Sequence, residues 1–227
     1  ILAGGFGTRL SHIVPDLPKP MAPINGRPFL EYVLDYLCRN DVNKVVLAVG
    51  YKAEIIKKHF GNKYKKIDIS YSTEDVALGT GGAIKKALGD CKEENIFVIN
   101  GDTYFDVDLG KMLDFHINAG SNISIAITRM NKFERFGSVI VEDNIIKKFE
   151  EKKPKMEGKV NGGIYIINRK IMSKMQNNVF SFENDILESG LYNLYAFESE
   201  GYFIDIGIPE DYTKAQIEFK QVIGGWL

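Results

Sequence analysis

Residues 2–20 read LAGGFGTRLSHIVPDLPKP, and this stretch decides how the rest of the chain is understood. Ile1, Leu2 and Ala3 are apolar and make the end of a strand pattern. Gly4, Gly5 and Gly7 follow, then Thr8, Arg9 and Leu10, and Lys19 stands between Pro18 and Pro20. A strand that breaks into a glycine-rich turn leaves backbone N–H groups uncovered, and such groups close around an anion. Arg9 and Lys19 offer two fixed positive charges to the same anion. A plain strand-to-helix turn with solvated basic residues would carry the same glycines. Two known phosphate signatures are absent. Gly7 is followed by Thr8 and Arg9 and not by the lysine of a P-loop, and Leu10 stands where the dinucleotide fingerprint needs a third glycine.

Working outward, 227 residues suffice for one large domain with a real core, because folding at this size buries roughly 70–75% of the unfolded surface. The formal net charge of −1 argues against a duplex nucleic-acid partner, which calls for a basic excess. Cys38 and Cys91 lie far apart and make no metal-ligand spacing; they suit a reducing compartment, so the expected location is cytoplasmic. No apolar run approaches the ~20 residues of a membrane span, so no membrane partner is expected. The chain opens at Ile1 without Met, already inside a strand pattern. The expectation is that a few residues precede it and that a targeting segment does not. A homo-oligomer is compatible with this composition but not readable from it.

The hydrophobic pattern predicts helices over 28–38, 52–60 and 80–88 and strands over 44–50, 67–72 and 96–100. Strand and helix thus alternate over about 1–115, which implies parallel βαβ units. In such sheets ligands sit beyond the carboxyl ends of the strands, and the glycine loop, the turn after 44–50 and Asp102 all fall there. The rhythm then changes. Strands are expected over 122–130, 137–142, 144–150, 160–168 and 202–205, with helical pattern at 169–175, 181–187 and 209–219. The reading is one α/β domain over 1–227 with a mixed, mostly parallel central sheet. Gly224-Gly225-Trp226-Leu227 departs from the last helical pattern.

Asp102 follows a buried strand in NGDTYFD, where a carboxylate can hold a divalent metal beside a phosphate or simply cap a turn. Asp205 lies between Ile204 and Ile206, and a charge there needs a metal or a hydrogen-bond donor. Mg²⁺ takes one or two protein carboxylates and lets substrate phosphates complete its shell. Two carboxylates and an anion cradle together point to phosphoryl or nucleotidyl transfer. Glu151 and Lys152 end a strand in FEEKKP and could meet a sugar and a second phosphate, although a solvated charge run reads the same way. Asn161-Gly162-Gly163 interrupts a strand, as at a bulge or a close ligand approach. His12, His59 and His116 have no partner spacing and read as structural or exposed.

LAGGFGTRL with PKP, then GTGGA (79–83), NGD (100–102), EEK (150–152), NGG (161–163) and DIGIPEDY (205–212), resembles the sugar-1-phosphate nucleotidyltransferases in order over nearly the whole chain. KPMAPINGRPFLEY (19–32) and LGTGGAIK (78–85) are most similar to the branch that transfers guanylyl to a bacterial heptose 1-phosphate. The resemblance implies a single Rossmann-like domain, with a nucleotide half to about residue 115 and a sugar-phosphate half after it. It implies that an NTP, with GTP favoured, and a sugar 1-phosphate give an NDP-sugar and pyrophosphate with Mg²⁺, for a capsule or surface glycan. Leu2, Ala3, Gly4, Gly5, Gly7 and Thr8 would hold the triphosphate, Arg9 and Lys19 would be catalytic, and Gly79, Thr80, Gly81 and Gly82 would line the base. Asp102 and Asp205 would bind the metal. Gly137, Glu151, Lys152, Asn161 and Gly163 would hold the sugar phosphate. A mannose-1-phosphate guanylyltransferase, an amino-sugar-1-phosphate uridylyltransferase and a non-catalytic sugar-nucleotide-binding subunit stay open as alternatives.

Overall fold

The computed structural model describes residues 1–222 apart from Phe6, Thr8, Ser11, Arg135 and Lys152. Thr8 and Lys152 therefore lie outside the described residues, as does the end from Gly224 to Leu227. The chain forms two compact units. One comprises Ile1–Ala77, Asn100–Tyr104 and the stretch from Tyr202; the other comprises Leu78–Ile99 and Phe105–Gly201. The C-terminal helix returns to the first unit because its apolar face is needed there.

In the first unit the Lys44–Val49 and Ile67–Thr73 strands pair in parallel, and Lys63–Tyr64 adds an antiparallel edge. Leu2 forms parallel bridges to both Ala48 and Asn100. The Ala3 N–H donates to the Ala48 carbonyl at 2.8 Å, and the Ala48 N–H to the Ile1 carbonyl at 2.9 Å. Because these pairings are parallel, the chain leaves all three segments at the same edge. Gly4, Gly50 and Asp102 come next there, which is the arrangement the strand–helix alternation implied. The Phe29–Arg39 helix lays Phe29, Leu30, Val33, Leu34 and Leu37 into the core. Phe219, on the Pro209–Val222 helix, packs edge-on against Tyr32 (4.8 Å between centroids) and Tyr104 (5.5 Å). This aromatic cluster draws the end of the chain back. The Tyr212 hydroxyl and Gln216 amide also donate to the Pro23 carbonyl at 2.6 Å each.

In the second unit the strands lie in the order Asn95–Ile99, Lys155–Asn168, Ile123–Phe133, Leu194–Glu198, Ile145–Glu150, Ser138–Glu142. The mixed α/β fold is as expected, but its parallel part is smaller than the sequence suggested. Among the described residues of this sheet Ile123–Phe133 and Leu194–Glu198 pair in parallel, and the other ladders are antiparallel. One short hairpin joins Ser138–Glu142 to Ile145–Glu150. Asp143 and Asn144, both with positive φ (49° and 61°), turn the chain between Glu142 and Ile145, which face each other in the register. The long Lys155–Asn168 strand joins the sheet: one side follows Ile123–Phe133, and the other meets Asn95–Ile99 and Ser138–Glu142 in turn. Several elements escaped the sequence reading, among them one helix and one strand of this unit. The Leu109–Asn118 helix starts at Asp108, whose carboxylate accepts from the Lys111 N–H at 2.9 Å, and Leu194–Glu198 is a strand. His116 is buried between Ser124 Oγ (2.8 Å) and Asn95 Oδ1 (3.3 Å), a structural histidine whose burial pushes its pKa down. Among the described residues no helix is long and apolar enough to cross a membrane.

The edge that carries Asp102 is packed tightly. A Cβ on Gly101 would lie 2.6 Å from the Leu2 carbonyl oxygen, the same oxygen that accepts the Gly101 N–H at 2.9 Å. Gly101→Ala is expected to lower the free energy of unfolding by about 1–3 kcal/mol, as overpacking does. Urea titration checks this: the midpoint should fall with an unchanged slope, and an unchanged midpoint would contradict the close approach.

Candidate active site

The first unit gathers most of the residues assigned to the triphosphate. Leu2, Ala3, Gly5, Gly7, Arg9, Lys19 and Asp102 line one cavity of about 230 Å³, together with Pro20 and Gly207. Gly4 sits beside it, where a Cβ would lie 3.1 Å from the Gly50 nitrogen, so a side chain would push the two strand ends apart. Gly7 has φ +59°, and a Cβ there would lie 2.9 Å from Lys19 Cβ. The glycine thus serves two needs at once: a left-handed turn and room for the lysine stem. Lys19 opens a short 3₁₀ turn, Lys19–Met21, entered from extended Pro18. Its side chain is only 11% exposed.

An ammonium so far from water needs a counter-charge. Asp102 provides it: Lys19 Nζ and Asp102 Oδ2 form a close ion pair. Asp205 comes to the same place by another route. The Ile206 N–H donates to the Asp102 carbonyl at 3.0 Å, which fixes the two segments side by side. A Cβ on Gly207 would lie 2.9 Å from Lys19 Nζ and 2.5 Å from Asp205 Oδ1, so the lysine and the second aspartate meet across the bare face of this glycine. The Gly207 N–H in turn donates to Asp205 Oδ1 at 2.5 Å. Gly207 was missed in the sequence reading, although a glycine two residues past a strand-end carboxylate was there to be seen. Glu74 was missed as well. It follows the Ile67–Thr73 strand, its N–H donates to the Val49 carbonyl at 2.9 Å, and a Cβ on Gly4 would lie 3.5 Å from its Oε1.

The donor set fits a magnesium ion. Among the described residues no cluster of three or more His, Cys, Asp or Glu side chains could enclose a metal. A carboxylate pair at the mouth of an anion cradle suits a cation that takes one or two protein ligands and completes its shell with phosphate oxygens and water. Asp102 and Asp205 offer such a pair.

In the second unit Gly79, Thr80, Gly81 and Gly82 open the Gly79–Ala87 helix. Gly79 has φ +71°, and its Cβ would lie 2.5 Å from the Phe180 carbonyl oxygen. That oxygen accepts the Gly81 N–H at 3.0 Å and the Gly82 N–H at 3.3 Å. Gly81 and Gly82 are buried against the chain's own segment around 178–180. A large part of the glycine signal is therefore explained by a close approach of protein to protein, and Gly79 is the exposed member of the turn.

The residues assigned to the sugar phosphate converge through strand register. Ser138 lies opposite both Glu150 and Val160. One step along the antiparallel ladders, Gly137, Glu151 and Asn161 come to the same end. A Cβ on Gly137 would lie 3.0 Å from the Glu150 carbonyl oxygen. At the bulge between Asn161 and Tyr165, Gly163 has φ +73° and its N–H donates to Asn161 Oδ1 at 2.9 Å. Asn161 Nδ2 donates to the Tyr165 hydroxyl at 2.9 Å, leaving a second amide proton for another acceptor. Beside this group Glu150 accepts from Lys155 and from Ser138 Oγ, the latter at 2.7 Å.

The sequence profile of nucleotidyl transferases matches residues 1–222, across both units. The chain belongs to the nucleotidyl transferase family. A D-glycero-alpha-D-manno-heptose 1-phosphate guanylyltransferase of Aneurinibacillus thermoaerophilus is 49% identical over 226 residues, which cover 98% of each chain. One of the same name from Campylobacter jejuni subsp. jejuni serotype O:2 is 47% identical over 216 residues, covering 93% of this chain and 95% of its own. The crystal structure of HddC from Yersinia pseudotuberculosis complexed with GMP-PN superposes with a TM-score of 0.88 at 38% identity, over 96% of this chain and 97% of that one. The fold is the α/β fold of this family.

Glu150 offers a test of the second unit. The Lys155 ammonium, helped by the Ser138 hydroxyl, holds its carboxyl down at about 2. A carboxyl lowered by folding stabilises fully above its ordinary value of 4.5 and loses that contribution as pH falls from there through about 2. Carboxyl NMR titration should place the Glu150 midpoint near 2, moving toward 4.5 in Lys155→Met. A wild-type midpoint at 4.5 would remove the ion pair.

Proposed function

We propose that this protein is a guanylyltransferase that makes GDP-D-glycero-D-manno-heptose and pyrophosphate from GTP and D-glycero-D-manno-heptose 1-phosphate. The observation that carries the reading is the meeting of an anion cradle, a nearly buried lysine and two carboxylates at one sheet edge of the first unit. Near-full-length identity to two heptose 1-phosphate guanylyltransferases supports the choice of substrates. The family match runs without a break across both units and supports reading them as one nucleotidyltransferase domain.

In this reading the backbone of Gly4, Gly5 and Gly7, with Leu2, Ala3 and Thr8, cradles the triphosphate. Arg9 and Lys19 neutralise it. A phosphate oxygen of the heptose 1-phosphate attacks the α-phosphorus. The new P–O bond forms as the bond from the α-phosphorus to the α–β bridging oxygen breaks, and pyrophosphate leaves with that electron pair. The nucleophile is already an anion near neutral pH, so the site has no proton to remove. Its work is positioning and charge neutralisation. Asp102 and Asp205 would hold Mg²⁺, which would supply further neutralisation of the phosphates. Lys19 gains a better partner when phosphate arrives beside Asp102, and Lys152 holds the incoming sugar phosphate against repulsion. Gly137, Glu151, Asn161 and Gly163 orient the heptose. The chemistry belongs in the cytoplasm, where GTP is available, and its product is a glycosyl donor for a surface glycan.

Base choice has a physical rationale in Glu74. Its carboxylate lies near Gly4 and accepts from N–H donors. Guanine presents two such donors on one edge, N1–H and the 2-amino group. Glu74→Gln is expected to lower kcat/KM for GTP by about 10-fold, the scale of one charged hydrogen bond. It should lower the value for ITP, which lacks the 2-amino group, by less. Equal losses for the two nucleotides would remove Glu74 from base recognition.

The reaction is tested by scoring pyrophosphate release from each NTP with a panel of sugar 1-phosphates and Mg²⁺. GTP with the heptose 1-phosphate should give the highest kcat/KM, and Lys19→Ala or Asp205→Ala should lower turnover by about 10²–10³. A better rate with mannose 1-phosphate, or with UTP and an amino sugar, would reassign the substrates. Near-full activity of Lys19→Ala would overturn the site.

A further inference from the structure

The start of the Gly79–Ala87 helix is held from outside by another segment of the same unit. Leu78, its N-cap residue, makes no side-chain cap. Instead the Phe180 N–H donates to the Leu78 carbonyl at 3.0 Å, and the Phe180 carbonyl accepts from Gly81 and Gly82. Thr80 completes the attachment. Its hydroxyl oxygen accepts from the Phe182 N–H at 2.9 Å, and its proton goes to Glu183 Oε2 at 2.5 Å. A hydroxyl that already accepts from an amide has one proton left to give, and a carboxylate is an acceptor that cannot compete as a donor. The same Oε2 accepts from Ser181 Oγ at 3.1 Å.

The segment that does the holding is itself rigidly built. The Ser181 N–H donates to Asp185 Oδ2 at 2.7 Å, and the Asn184 N–H to Ser181 Oγ at 3.1 Å. Phe182 and Ile186 are fully buried, and Phe182 stands edge-on to Tyr165 with centroids 5.2 Å apart. Glu183–Leu187 is wound as a π-helix, a geometry that is rare and concentrated at functional sites. A left-handed glycine turn has no side chain to fix it, so its shape depends on such neighbours.

We propose that Glu183 is a positioning residue for the nucleotide. By holding the Thr80 hydroxyl it locks the Gly79–Gly82 turn in the shape that borders the guanine, without touching the substrate. This rests on the reading of that turn as the base border. Glu183 then governs nucleotide affinity and leaves the sugar phosphate and the chemical step alone.

The test compares Glu183→Ala with Glu183→Gln, whose amide oxygen can still accept from Thr80. In Glu183→Ala the KM for GTP should rise about 10-fold, with kcat and the KM for the sugar 1-phosphate within about two-fold of wild type. Glu183→Gln should recover most of the loss. Hydrogen exchange at the Gly81 and Gly82 amides should quicken in Glu183→Ala and return toward wild type in Glu183→Gln. If Glu183→Ala does not fold, Ser181→Ala, which removes the second hydroxyl on Glu183, carries the same comparison with a smaller shift. Unchanged exchange overturns the brace. Faster exchange with an unchanged KM for GTP overturns its role in nucleotide positioning. A wild type that releases no pyrophosphate from any pair overturns the functional reading and this proposal together, whereas an active wild type with silent variants overturns this proposal alone.

Discussion

The ammonium of Lys19 against the carboxylate of Asp102 is the interaction on which the first unit's site depends. A charge with so little access to water is tolerable only beside an opposite charge. Three separate stretches of chain are shaped to put it there. Pro18 delivers the chain extended into the 3₁₀ turn that starts at Lys19. Gly7 leaves room for the lysine stem, and Gly207 leaves room for its head. Replacing either glycine by a residue with a Cβ would move the charge before it changed any chemistry.

This placement is a consequence of topology. Three chain segments run parallel through Leu2, Ala48 and Asn100 and end at one edge. Each then runs directly into a functional stretch: the glycine loop, the Gly50 turn and Asp102. Asp205 arrives from the far end of the sequence because the aromatic face around Phe219 packs against Phe29, Tyr32 and Tyr104. Core packing at one end of that C-terminal stretch thus secures the Asp205 carboxylate at the other.

Much of this was legible in the sequence because residue type and position at a strand end carry the information. Gly4, Asp102 and Asp205 each announce themselves by a charge or a glycine where a strand pattern stops, and Lys19 by its place between two prolines. The residues assigned to the sugar phosphate were legible only as separate pieces, because Gly137, Glu151 and Asn161 meet through antiparallel register, which no local pattern encodes. The glycines at 79–82 signalled a close approach, yet the approaching group for Gly81 and Gly82 is the Phe180 backbone. The antiparallel character of the second unit had a local sign in Asp143-Asn144, a turn pair that favours positive φ. The helical pattern over 181–187 was legible, but its winding as a π-helix at Glu183–Leu187 has no sign in residue spacing.

The first unit brings backbone N–H groups, two cations and a carboxylate pair to one edge, the set that the proposed triphosphate and divalent ion call for. The measurement that bears most directly on this account tracks the aspartate carboxyl resonances of ¹³C-labelled protein as Mn²⁺ and GTP are added together. The account predicts that the signals of Asp102 and Asp205 both broaden away through contact with the paramagnetic ion. Sharp resonances for both in the nucleotide-bound protein would contradict it.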